Sequence, residues 1–62
     1  MRLVDKATGK QINPGDEVEL HRRTYSLSDF DPKSGFIFLF SDADDRSPLA
    51  LKAGAIGAKF AA

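Results

Sequence analysis

Five consecutive large apolar side chains, "FIFLF" at residues 36–40, constrain the fold of this chain more than any other segment. Neighbouring residues of a β-strand point to opposite faces, so the aliphatic and the aromatic side chains would lie on opposite sides. A chain of 62 residues has one small core and usually buries one face of a strand. The segment therefore predicts a strand, and it raises the question of which face is buried and what covers the other.

Turn-forming residues recur at short intervals, which is typical of all-β sandwiches and barrels. They lie in "TGK" at 8–10, "NPGD" at 13–16, "DPKSG" at 31–35 and "SDADDRSP" at 41–48. Pro14 presets φ for the first central position of a turn, and Gly15 suits the second position of a type II turn. We predict one all-β domain over residues 1–62.

The apolar alternation changes phase between residues 20 and 25. Val18 and Leu20 alternate with glutamates, whereas the next apolar residues, Tyr25 and Leu27, lie at odd positions. One continuous strand would put these two pairs on opposite faces. The segment "HRRT" at 21–24 must therefore contain a turn, a bulge or a sharp bend, and we favour a polar hairpin tip. A strand at 24–28 and a turn in "SDFDPKSG" follow.

The C-terminal segment, "AGAIGAKFAA", combines opposing propensities. Alanine favours helix, whereas Gly54 and Gly57 disfavour it by up to about 1 kcal/mol each. We expect a helical or 3-10 turn at 53–56 and a closing strand at 58–60. The predicted architecture is a small five-stranded Src-homology-3-like barrel with a 3-10 turn before the last strand, because closing the sheet removes exposed edges.

The composition argues against several classes of function. The chain has no cysteine for disulfides or Cys-based zinc sites, and its single histidine cannot hold a metal alone. Nine basic and nine acidic residues cancel, whereas a general nucleic-acid binder normally carries a basic surface. No apolar run approaches the roughly 18 residues of a membrane span, and "MRLVDKATGK" does not resemble a signal peptide. We expect a cytoplasmic protein without membrane contacts.

Two segments resemble a group of very small phage- and prophage-encoded proteins of unassigned function. "LVDKATGKQINPGDEVEL" at 3–20 is similar to their opening, and "AIGAKF" at 55–60 to their closing segment. Those proteins often carry glycine in the first long hairpin tip, where this chain has Arg22 and Arg23. The resemblance implies a mobile-element origin, a small β-barrel and location in the host-cell cytoplasm. It implies no active-site residues.

The resemblance also implies an orientation for the "FIFLF" strand. In the similar proteins this strand alternates aliphatic residues inward with polar or aromatic residues outward. Ile37 and Leu39 would then lie inside, with Phe36, Phe38 and Phe40 outside, about 7 Å apart along one face. Two other arrangements remain open: the three rings form the core, or both faces are buried within the monomer.

A row of three exposed phenylalanines would need a cover. Each ring offers at least about 150 Å², so the row exceeds the apolar patch that most monomers expose. We predict a protein-binding module that modulates a host or phage protein, or that pairs with a second copy. The predicted partner-binding residues are Phe36, Phe38, Phe40, Tyr25, Phe30, Arg22, Arg23 and Asp42.

The alternative function is binding of single-stranded nucleic acid, with bases stacked on the same rings. The basic residues in "HRR" at 21–23, together with Lys33, would contact phosphates. However, "SDADD" at 41–45 directly follows the rings, and Asp29 and Asp31 precede them. Carboxylates this close repel a phosphate backbone, so nucleic acid is the less favoured partner.

The sequence contains no pattern typical of catalysis or of a cofactor site. "SDADD" lacks the glycine and the distal glutamate of an EF-hand loop, so we interpret it as a solvated acidic turn. His21 has no nucleophile or orienting group nearby in the sequence. We expect no enzymatic activity, no cofactor and no metal.

Overall fold

The computed structural model describes all 62 residues and consists of short strands and one 3-10 turn. The strands are β1 (Arg2–Asp5), β2 (Gln11–Ile12), β3 (Glu17–Leu20), β4 (Arg23–Asp31), β5 (Phe36–Phe40), β6 (Leu49–Lys52) and β7 (Ala58–Ala61). The 3-10 turn, Ala53–Ile56, lies between β6 and β7. The predicted all-β class and the 3-10 turn before the last strand are confirmed. The structure contains no helix that is long and apolar enough to cross a membrane.

The strands form two antiparallel sheets that are not closed into one barrel. The small sheet has the order β2-β1-β7, and the large sheet has the order β3-β4-β5-β6. The prediction of five strands in a closed barrel therefore differs from the structure, which has seven strands in two sheets. β2 has only two residues and ends at Ile12, and Pro14, separated from it by Asn13 alone, has no N–H group to continue the ladder. After this turn the chain enters the large sheet as β3.

The turn before β3 follows the predicted local chemistry. Pro14 and Gly15 occupy its centre, and the backbone N–H of Asp16 donates to the carbonyl oxygen of Asn13 at 2.9 Å. Gly15 has a φ of 96°, which the second central position of a type II turn requires. The turn predicted at "TGK" is also confirmed, because it lies between β1 and β2, which pair as an antiparallel hairpin.

A two-residue turn at His21 and Arg22 joins β3 to β4. Both residues have positive φ, 50° and 65°, as expected of a type I′ hairpin turn. The turn lets Val18 and Tyr25 pair across the two strands and share one face. The polar tip predicted from the phase change is confirmed.

β4 is longer than the predicted strand at 24–28. Its register with β5 shifts between Leu27 and Asp29, which leaves Ser28 as an extra residue. A bulge of this kind moves the alternation by one position, so Phe30 lies on the same face as Leu27 and opposite Ile37. Phe30 therefore belongs to the strand and not to the predicted turn.

The core lies between the two sheets. Leu3, Leu27, Ile37 and Leu39 are at most 1% exposed and are its largest fully buried side chains. Burying such a side chain stabilises the fold by roughly 1.5–3 kcal/mol. Seven partly buried side chains pack around the core: Ile12, Leu20, Phe30, Leu49, Leu51, Ile56 and Phe60.

Candidate functional site

The two sides of β5 separate aliphatic from aromatic side chains. Ile37 and Leu39 are fully buried, as the first of the three arrangements requires. Phe36 and Phe38 point the other way and are half-buried, and Phe40 is 45% exposed. The rings do not form the core, and their side of the strand is not sealed within the monomer.

The side of the large sheet that carries these rings is the candidate site, and we call it the outer face. Residues paired across strands share a face, so the strand registers define its members. They are Glu17, Glu19, Thr24, Ser26, Asp29, Asp31, Phe36, Phe38, Phe40, Ala50 and Lys52. The rings thus run along an interior strand of the sheet and have neighbours on both sides.

Carboxylates surround the rings. Asp31 lies opposite Phe36 and Asp29 opposite Phe38, whereas Glu17 and Glu19 lie further out on β3. These four acidic residues face one cationic residue, Lys52. The outer face is therefore net negative although the whole chain is neutral.

The ammonium group of Lys52 already lies over the Phe36 ring at one end of the row. Its ammonium nitrogen lies 4.4 Å from the centroid of the Phe36 ring, within the range of a cation–π contact. The same nitrogen donates to the carbonyl oxygen of Ser34 at 2.7 Å. Phe36 is therefore partly covered from within the chain. Across from Phe38, Ala50 contributes only a methyl group.

An open hollow of about 460 Å³ lies beside Phe40, at the end of β5. Residues from β3, β4, β5 and the following loop line it, among them Glu17, Thr24, Ser26, Phe40, Asp42 and Ala43. Two exposed carboxylates, those of Glu17 and Asp42, thus border the hollow. Asp42 was one of the predicted partner-binding residues, whereas Glu17 was not.

The loop that forms one wall of the hollow is anchored by Asp44. This side chain is 3% exposed and accepts a hydrogen bond from the Tyr25 hydroxyl at 2.8 Å. The Arg46 guanidinium donates to both of its oxygens at 3.1 Å, and the Arg46 backbone N–H donates at 2.9 Å. The interpretation of "SDADD" as a solvated turn is therefore wrong for Asp44, because these donors compensate its burial.

The same contacts shift three pKa values, and the bond to the Asp44 carboxylate raises that of Arg46. The side-chain and backbone donors of Arg46, together with the Tyr25 hydroxyl, hold the pKa of Asp44 well below its usual range. The bond to the Asp44 carboxylate, with burial, raises the pKa of Tyr25. At neutral pH the pair is therefore a phenol donating to a carboxylate, which fixes the loop to the core.

Of the predicted partner-binding residues, Tyr25 and Phe30 point to the inner side of the large sheet. Tyr25 is 3% exposed and belongs to the core, although it also contributes to the lining of the hollow beside Phe40. Phe30 is half-buried on the inner side, and its ring centroid lies 5.7 Å from that of Phe60. Arg22 and Arg23 are exposed at the hairpin tip, and Arg23 directly precedes Thr24 of the hollow.

A second open hollow, of about 580 Å³, lies where the small sheet meets β3. Its lining is mostly polar and includes Asp5, Lys10, Asp16 and Glu19. Nowhere in the chain do three histidine, aspartate or glutamate side chains come close enough to hold a metal ion. This hollow lacks an exposed aromatic ring and has no feature that selects a ligand.

Comparison with protein-family models, with curated proteins and with solved structures found no significant match for this chain. The resemblance to small phage proteins accordingly stays a prediction. We therefore infer the function from the chemistry of the outer face.

Proposed function

We propose that this chain is a small protein-binding module of phage or mobile-element origin that modulates a host or phage protein through the outer face. The observation that carries the proposal is the row of Phe36, Phe38 and Phe40, which ends in a ring that is 45% exposed. The inner side of the same strand is already filled by Ile37 and Leu39. The core therefore does not include the three rings. Aromatic side chains that become buried in an interface often supply much of the energy of protein–protein binding.

The energetics require more than the rings. Full burial of a phenylalanine stabilises by roughly 1.5–3 kcal/mol, and these rings are already partly covered. Association itself costs an estimated 4–15 kcal/mol. A partner must therefore also contact the polar surroundings of the row, of which Asp29 and Asp42 are exposed examples.

The order of elements supports a Src-homology-3-like layout as part of this proposal. The first strand pairs with the last, β3 to β6 form a meander, and a 3-10 turn precedes the last strand. In this layout the outer face adjoins the loop after β5, which contributes to the lining of the hollow beside Phe40.

The charge of the outer face favours a protein over single-stranded nucleic acid. Stacked bases would bring phosphates next to Asp29, Asp31 and Glu17, with only Lys52 on the face to offset the repulsion. We accordingly propose binding without catalysis, in the cytoplasm of the host cell.

Affinity capture from a host-cell lysate tests the proposal. The wild-type chain, Phe38→Ser and Phe40→Ser serve as baits, and Ala55→Ser, an exposed substitution on the 3-10 turn, is the matched control. We expect a protein that the wild type and the control retain and that both phenylalanine variants lose. Circular dichroism of each bait shows that it is folded.

Retention of the same partner by folded Phe38→Ser and Phe40→Ser baits would refute the proposal. Titration of the wild type with a labelled single-stranded oligonucleotide, at low and moderate salt, tests the alternative. Tight, salt-sensitive binding that the Phe38→Ser variant lacks would favour nucleic acid.

A further inference from the structure

We infer that the hollow beside Phe40 receives an arginine side chain from a basic segment of the partner protein. The inference rests on the proposed function and specifies the chemistry of the partner. Phe40 contributes an exposed ring to this hollow, and Glu17 and Asp42 contribute carboxylates. An aromatic face bordered by carboxylates attracts a cation through the ring quadrupole and through charge.

The two carboxylates have no cationic partner within the chain. The only ion pair of the protein joins Arg46 to Asp44, which lies outside the lining of the hollow. Glu17 and Asp42 are both exposed at the rim. A cation of the partner could therefore pair with the carboxylates of Glu17 and Asp42 in a hollow that also contains the Phe40 ring.

The two ends of the phenylalanine row differ in one respect. At one end, the Lys52 ammonium lies over the Phe36 ring at 4.4 Å. At the other end, Phe40 has acidic neighbours and no cation. The contact between Lys52 and Phe36 shows within this chain how a phenylalanine of the row binds a positive charge. Phe40 is the same kind of side chain, but no cation of the chain lies over its ring.

Arginine fits this hollow better than lysine does. A guanidinium is planar, stacks on aromatic faces and donates in a fork to carboxylates, whereas an ammonium is a strongly hydrated point charge. Glu17 lines the hollow from β3 and Asp42 lines it from the loop after β5, so the two acidic residues belong to different elements of the lining. The Tyr25–Asp44 bond holds that loop in place.

The test uses Phe40→Trp as a reporter, because the chain contains no other tryptophan. Tryptophan keeps the aromatic face and is the strongest cation–π partner. The probe is a synthetic peptide that alternates arginine with serine, and the matched control peptide has glutamine in place of each arginine. We expect the arginine peptide to change the tryptophan emission with an affinity at least about tenfold higher than that of the glutamine peptide.

Two sets of variants separate the ring from the charges. In the reporter background, Glu17→Gln combined with Asp42→Asn should weaken the arginine peptide about tenfold and flatten its salt dependence. Asp45→Asn, which removes a charge from the same loop outside the hollow, should leave the affinity nearly unchanged. With tryptophan absent, Phe40→Leu should weaken binding measured by amide chemical shifts, because leucine keeps apolar volume but lacks the ring.

Equal affinity for the two peptides, or no loss in the double variant, would overturn the inference. So would an oligonucleotide that changes the tryptophan emission of the reporter in the absence of any peptide and does so less strongly when Phe38 is replaced by serine. Sedimentation velocity supplies a further outcome: a dimer that both Arg22→Ser and Phe40→Ser dissociate would assign the hollow to a second copy and overturn the inference as well.

A result that overturns the arginine inference does not by itself refute the proposed function. A lysate partner that requires Phe38 and Phe40 but tolerates the double carboxylate variant would refute the arginine and keep the binding face. A partner that requires neither ring would refute both.

Discussion

The inner and outer sides of the large sheet carry apolar side chains of similar bulk, yet only the inner side is sealed. Ile37 and Leu39 are fully buried, whereas Phe40 on the outer side is 45% exposed. The inner side packs against the small sheet, and its core contains the aliphatic side chains of β5 together with the ring of Tyr25. Strand alternation and register therefore decide which apolar residues of β5 enter the core, and hydrophobicity alone does not.

Truncation of the inner side should have the largest effect. Leu39→Ala removes a fully buried side chain and leaves a cavity, so we expect a loss of about 2–5 kcal/mol in the free energy of unfolding. Urea denaturation followed by circular dichroism measures it. A loss below about 1 kcal/mol would contradict the difference between the two sides.

Removal of the Asp44 charge should lower stability at neutral pH by less than Leu39→Ala but measurably. Asp44→Asn keeps an acceptor for the Tyr25 hydroxyl but loses the ionic contact with Arg46. We expect the melting temperature to fall by several degrees at pH 7.

The effect of Asp44 should also depend on pH. Because folding lowers the pKa of this carboxyl, its contribution is present above the unfolded value of about 3.9 and is lost as the pH falls below it. The difference in melting temperature between the wild type and Asp44→Asn should therefore become smaller as the pH is lowered below about 4. A difference that stays constant into strong acid would show that the charge contributes nothing.

A glycine at the hairpin tip should stabilise the fold without touching either side of the sheet. Arg22 has a φ of 65°, which costs a residue with a Cβ roughly 1–2 kcal/mol. Because glycine also loses more entropy on folding, we expect Arg22→Gly to gain about 1 kcal/mol. Arg22→Ala keeps the Cβ and should gain nothing, which distinguishes backbone strain from removal of the charge.

Truncation on the outer side should have the smallest effect on stability. Phe40→Ala removes a ring that is almost half exposed and leaves no internal cavity, so we expect a loss below about 1 kcal/mol under the conditions used for Leu39→Ala. A loss as large as that of Leu39→Ala would mean that the ring is part of the core and would remove the basis of the proposed site.

Local patterns predicted much of this fold because their causes are local. Pro14 and Gly15 set their turn through their own backbone preferences, and the phase change between Leu20 and Tyr25 required a turn at the tip. The orientation of Ile37 came from the resemblance, and the structure agrees with it.

The remaining features depend on contacts that no local pattern contains. Asp44 meets Tyr25 across 19 positions of the sequence, and nothing in "SDADD" distinguishes it from its neighbours. The bulge at Ser28 redirects Phe30 inward, although the sequence shows no glycine there. Glu17 joins the hollow only because β3 lies beside β4. For the pair of Tyr25 and Asp44, the sequence offers only a tyrosine within an apolar strand, whose hydroxyl needs a partner if it is buried, and several aspartates in a loop that could supply one.

The position of β5 within its sheet also governs the solubility of the chain. β4 and β6 lie on the two sides of this strand, and residues 36–39 are paired on both sides, so the folded protein offers little of the "FIFLF" backbone to another molecule. The strands at the sheet borders have two to four residues, fewer than the six or seven that build a stable cross-β stack. Fibril formation should therefore begin from unfolded chains, and any substitution that increases their number should shorten the lag before it.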